Sequence, residues 1–120
     1  MRIAITSTGR DLNSDLDPRF GRAEYFIIVD PETMDFEVVE NSQNLDLPQG
    51  AGIQAGMTIA DHQVDALITG HCGPKAFKVL QSAGIQTMTG ASGKVADVIA
   101  KFKSGELKTA SEADVEGHWV

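Results

Sequence analysis

Two β-rich runs, Tyr25 to Val29 and Phe36 to Glu40, are joined only by Asp30-Pro31-Glu32-Thr33-Met34-Asp35. A connection this short cannot carry a parallel crossover, so the two runs are expected to form an antiparallel hairpin. Before the hairpin, Arg2 to Ser7 alternates β-branched and small residues and breaks at Thr8-Gly9-Arg10, the pattern of a strand ending in a loop. After it the period changes: Ile53, Met57, Ala60 and Val64 recur at helical spacing and define one buried face. Ala66 to Thr69 then reads as a short strand and Pro74 to Ala83 as a helix with Ala76, Val79, Leu80 and Ala83 inward. Ile85 to Met88 reads as the next strand, and Val95, Val98, Ile99 and Phe102 as the face of a last helix closed by Gly105. An antiparallel hairpin followed by strand-helix-strand repeats predicts a five-stranded mixed sheet in the order βββαβαβα, a three-layer α/β fold of the ribonuclease H-like kind.

At 120 residues with 42% hydrophobic content, the chain has material for one compact core. The expected domain is 1–105. Residues 106–120 form an acidic tail of little apolar periodicity, expected to lie loosely on the surface, with His118-Trp119 able to dock. No run approaches the ~18 apolar residues that span a bilayer, and the N-terminus lacks a secretory pattern, so a cytoplasmic location is expected. The formal charge of −7 opposes binding to nucleic acid or to an anionic membrane. The single cysteine, Cys72, excludes an intrachain disulfide and every zinc or iron-sulfur framework needing several thiolates from one chain.

Ligands in open α/β sheets collect beyond the carboxyl ends of the parallel strands. Three loops are expected there: Ser7-Thr8-Gly9-Arg10, Gly70-His71-Cys72-Gly73-Pro74-Lys75 and Thr89-Gly90-Ala91-Ser92-Gly93. Glycines and small hydroxyl residues let the backbone approach a ligand and expose N–H donors at the starts of two helices, which suits an anion. Lys75 in the first helical turn is mildly unfavourable against the helix dipole unless a negative ligand offsets it. No phosphate-binding glycine motif occurs, and Ser7 and Thr69 stand where a ribonuclease H-type nuclease needs metal-binding carboxylates.

Each of these residues has a plainer reading. Cys72 is either a thiolate ligand to a soft metal such as Cu(I), a low-pKa redox thiol, or a small packing residue. His71 is a ligand or a hydrogen-bond donor. Arg19 and Arg22 either hold an anion or pair with Asp15, Asp17 or Glu24. Met57 and Met88 read as core filler, and His62 as a surface residue.

The opening Met1-Arg2-Ile3-Ala4-Ile5-Thr6-Ser7 is one of three segments that share a likeness. The others are Asp17-Pro18-Arg19-Phe20-Gly21-Arg22-Ala23 and Gly70-His71-Cys72-Gly73-Pro74-Lys75-Ala76-Phe77. Together, over residues 1–105, they resemble the nitrogenase iron-molybdenum-cofactor-binding family of small carrier and scaffold domains. The resemblance implies non-enzymatic binding, storage or transfer of an anionic metal-sulfur cluster, either a molybdenum-copper sulfide or an iron-molybdenum cofactor precursor. Cofactor-donor or acceptor proteins or an ATPase are the implied partners. On that reading Arg19, Arg22 and Lys75 supply positive charge, and Phe20 and Ala91 an apolar wall. Ser7, Thr8, Gly21, Gly70, Gly73 and Gly90 line the cradle, with His71 and Cys72 as candidate metal ligands. The alternatives from other classes are a protein-interaction module and a small thiol-dependent redox protein.

Overall fold

The computed structural model describes residues 1–41 and 50–110. Strand β1 (Ile3–Ser7) is buried along its whole length, as a central strand covered on both faces must be. It pairs antiparallel with β2 (Tyr25–Val29), which pairs antiparallel with β3 (Phe36–Glu40), the expected hairpin. On its other side β1 pairs parallel with β4 (Ala66–Ile68), and β4 with β5 (Gln86–Met88). The sheet order is β3-β2-β1-β4-β5. With α1 (Ala51–Asp61), α2 (Pro74–Ser82) and α3 (Val95–Lys103), this is the mixed five-stranded α/β architecture read from the sequence.

Alternation along β1 sends successive side chains to opposite faces and so divides the core. Ala4 joins Phe26, Leu67, Ile59 and Leu80 under α1 and α2. Ile3 and Ile5 join Ile27, Ile68, Val95 and Ile99 under α3. Each fully buried Ile or Leu of this kind stabilises the fold by about 1.5–3 kcal/mol.

The expected inward faces of two helices are corrected. On α1 the buried residues are Ala51, Ala55, Gly56 and Ile59, whereas Met57 is 50% exposed and Ile53 and Ala60 are half-buried. The reason is close helix packing: a Cβ on Gly56 would stand 2.9 Å from Val79 Cγ1 of α2. Small residues therefore face α2, and the bulkier stripe turns outward. On α2 the buried residues are Ala76, Phe77 and Leu80, while Val79 is half-buried and Ala83 is exposed beyond the helix end. Val64 is buried after α1 has ended.

Residues 106–110 do not lie loosely. Thr109 bridges Met88 in antiparallel fashion, and the Ala110 N–H donates to the Thr87 carbonyl at 2.7 Å, so the chain covers the outer edge of β5. Leu107 and Ala110 pack on the two core clusters. His118 and Trp119 lie outside the described residues. No helix among the described residues is long and apolar enough to cross a membrane.

Candidate functional site

Because β1, β4 and β5 are parallel, their carboxyl ends share one rim of the sheet. The connections β4-α2 and β5-α3 place the starts of α2 and α3 at that rim, and α1, which leads back into β4, begins there too. The polar segment 8–24 crosses this rim and is tied to each strand end in turn. The Asp17 N–H donates to the Thr6 carbonyl at 3.0 Å, Leu16 N–H to the Gly93 carbonyl at 2.8 Å, and His71 N–H to the Pro18 carbonyl at 2.7 Å. Phe20 N–H returns a bond to the His71 carbonyl at 3.2 Å, so Arg19 and His71 form a parallel bridge.

The three loops expected at the rim do converge, but several candidate residues there hold protein to protein. Ser7 is buried, and its hydroxyl bonds the Gly9 backbone; the Thr8 hydroxyl and N–H both donate to the Asp15 carbonyl. Gly90, at φ +81, donates its N–H to the Gly70 carbonyl at 2.8 Å, and Ala91 bonds the Thr69 carbonyl at 3.3 Å. A Cβ on Gly70 would lie 2.7 Å from the Pro18 Cα and carbonyl oxygen, so glycine is needed here for backbone contact. Gly21 meets the first turn of α1 in the same way, 2.8 Å from the Gly52 backbone.

Two further expectations change. Phe20 is not a wall at the rim: it is fully buried, with its ring centroid 5.7 Å from that of Phe26. Cys72 is also fully buried, in the same core cluster as Phe20, Phe26 and Phe77, the position of the packing residue weighed above. A guest at the surface cannot reach its sulfur without opening the core. Of the two helix starts expected to offer amides, α3 has given its own away, since Val95 and Ala96 N–H donate to the Ser14 and Leu12 carbonyls.

The start of α2 is different. Gly73 is its N-cap, Pro74 occupies the first turn and no side chain caps it. Lys75 and Ala76 follow Pro74, where helix geometry leaves N–H groups without intrahelical acceptors. Lys75 is exposed, His71 is half-buried beside the strand end, Arg19 is exposed and Arg22 half-buried. Backbone amides and cationic side chains in one place can hold an anion by charge-assisted hydrogen bonds. Among the described residues no group of three or more His, Cys, Asp or Glu side chains is placed to hold a metal ion.

Residues that the sequence did not single out hold the cationic segment in place. The Asn41 side chain is buried and donates from Nδ2 to the Gly21 and Ala23 carbonyls at 3.2 and 2.7 Å, while its N–H bonds the Glu24 carbonyl. The Thr6 hydroxyl donates to the Asp17 carbonyl at 2.7 Å and lies 3.0 Å from that of Thr69. Asp17, 8% exposed, accepts the Arg19 N–H on Oδ1 at 3.0 Å. Gly50-Ala51-Gly52 marks the α1 start; nothing local marked Asn41.

Burial raises the Asp17 carboxyl above its ordinary value; the Arg19 amide and charge oppose the rise, and the Glu24 charge adds to it. A folded-state pKa above the unfolded one makes this group's stability contribution fullest below the unfolded value of 3.8 and progressively lost as pH rises through the folded value. Urea unfolding of the wild type and Asp17→Asn across pH should therefore show the wild type losing stability relative to the variant as pH rises from the acid side. A flat difference would contradict the sign.

An open groove of about 340 Å³ lies at the opposite end of the sheet, between Arg2 and the hairpin residues Asp30, Asp35, Phe36 and Glu37. Arg2 there is paired with Glu37 at 3.2 Å, and the surplus carboxylates make that end unfavourable for an anion.

Residues 1–105 match the family described as dinitrogenase iron-molybdenum cofactor. The apo form of the orange protein from Desulfovibrio gigas is 40% identical with a TM-score of 0.92, over 95% of this chain and 96% of that one. A Thermotoga protein whose NMR structure carries the name NifB is 38% identical with a TM-score of 0.82, over 97% and 98% of the two chains. An uncharacterized protein of Methanocaldococcus jannaschii is 32% identical over 99 residues, covering 80% of this chain and 83% of that protein. The chain belongs to the dinitrogenase iron-molybdenum cofactor family.

Proposed function

We propose that this protein binds and stores or hands on an anionic molybdenum-containing metal-sulfur cluster and catalyses no turnover of its own. The observation that carries the reading is the bridge between Arg19 and His71. It fixes a cationic segment beside the start of α2, which no side chain caps and whose first turn carries Lys75. A cluster whose metals are already saturated by sulfide asks for charge and N–H donors more than for ligands. In this reading Arg19, Arg22, Lys75 and the α2 amides hold the cluster, with His71 as donor or ligand at its edge.

The cargo we favour is a molybdenum-copper sulfide cluster, the first of the two that the sequence resemblance implies. An iron-molybdenum cofactor precursor is the alternative cargo that the family supports. The burial of Cys72 counts against the thiol-dependent redox reading. A cofactor-donor or acceptor protein, or an ATPase, would be the partner of such a carrier.

Mixing the colourless protein with tetrathiomolybdate and copper should give visible absorption bands, with molybdenum and copper eluting with the protein at fixed stoichiometry on gel filtration. Metals that elute apart from the protein would reject the proposal.

A further inference from the structure

Among the described residues, Asp17 is the one acidic side chain that is buried, and it sits directly under the cationic segment. Its carboxylate takes the Arg19 N–H at 3.0 Å and is also bonded by the Glu24 backbone. These two amides are the two ends of the turn that contains Arg22. Pro18, the next residue, is held against Gly70 and His71. The Asp17 side chain thus holds the two ends of the turn while the buried Asn41 side chain holds its middle at Gly21 and Ala23.

We propose that Asp17 is the positioning residue of this site and that loading a polyanion at the rim draws a proton from solvent onto its carboxylate. The proposal rests on the anion-carrier reading above. Near a negative guest, an ionised and desolvated carboxylate is disfavoured twice, by burial and by like charge. Protonated on its other oxygen, the carboxyl still accepts the Arg19 amide on Oδ1, so that end of the turn stays held. The balance is simple: polyanion, carboxylate and one proton give the loaded protein with a neutral Asp17. By linkage, the guest is held more tightly as pH falls and released as it rises.

Other charges face this region from every packed element. Arg19 and Glu24 act on Asp17 directly. His71 stands across the bridge from Arg19, Lys75 lies in the first turn of α2, and Asp15 and Lys94 meet in a backbone bridge on the α3 side. The readout is therefore Asp17 itself.

The test is an NMR titration of the Asp17 side-chain carboxyl carbon in the full chain, alone and loaded with tetrathiomolybdate and Cu(I). The expected result is a midpoint raised by about one pH unit or more on loading, which is roughly tenfold tighter binding to the protonated protein. Asp17→Asn should lose that tenfold step in the pH profile of affinity. Asp17→Ala, which removes both acceptors, should bind about tenfold or more weakly than Asp17→Asn, the conservative variant that restores one acceptor. An Asp17 midpoint unmoved by loading in the wild type overturns the proton coupling even where the variants fail to fold. If the wild type retains the metals but the midpoint is unmoved, only this inference fails; if it retains none, the carrier reading fails with it.

Discussion

Phe20→Ala should lower the unfolding free energy by about 3–5 kcal/mol, the usual loss for a phenylalanine removed from a packed core. Phe20 is fully buried, touches Phe26 and shares a cluster with Cys72, Ile59 and Leu80. Its truncation leaves a void between the rim segment and the sheet that the surrounding backbone cannot close. The segment is fixed on both sides by Asn41 and His71. Domains of this size have about 5–15 kcal/mol in total, so the variant should melt far earlier in urea. Arg19→Ala, one residue away and exposed, should stay within about 0.5 kcal/mol of the wild type. Similar midpoints for the two variants would return Phe20 to the surface role read from the sequence.

The double variant Arg19→Ala/Lys75→Ala should bind the thiomolybdate-copper guest about ten- to a hundredfold more weakly at low salt while unfolding at nearly the wild-type midpoint. Both side chains are exposed, and each is expected to contribute one charge-assisted contact of roughly 1.5 kcal/mol or less once solvent screening is allowed for. The gap between variant and wild type should shrink at about 1 M salt, where the Debye length falls to about 3 Å. Equal retention at both salt concentrations would mean that these cations do not face the guest.

Much of the fold was legible because periodicity is local. The hairpin followed from the short, polar link between Tyr25–Val29 and Phe36–Glu40, and the chain order of strands and helices followed from the strand-helix repeats after it. The face of α1 was not legible. Choosing between the Ile53-Met57 stripe and the Ala55-Gly56-Ile59 stripe depends on how closely α2 approaches, and Val79 against Gly56 decides that. The pairing of Thr109 with Met88 is likewise a tertiary event that a weakly apolar tail does not announce.

The convergence of the candidate loops was legible, their role less so. The glycine and hydroxyl-rich loops do meet at the carboxyl-end rim, yet Ser7, Thr8, Gly70 and Gly90 prove to be engaged in holding the rim segment to the strand ends. Composition cannot distinguish a glycine that admits a ligand from one that admits another stretch of backbone. Phe20 and Cys72 show the same limit, since both flank polar loops in sequence but point into the core. Asn41 acts on Ala23, 18 positions away, through a side-chain bond that no local pattern records, whereas the Asp17–Arg19 bond spans only two.

The most direct measurement is a map of backbone amide shifts as tetrathiomolybdate and copper are added to the full chain. Shifts that concentrate at Lys75 and Ala76, and at Arg19 through Arg22, are expected if the uncapped start of α2 and its cationic neighbour hold the guest. Shifts that gather instead around Asp30–Glu37 at the far groove, or that appear nowhere, would contradict a binding surface at the carboxyl ends of the parallel strands.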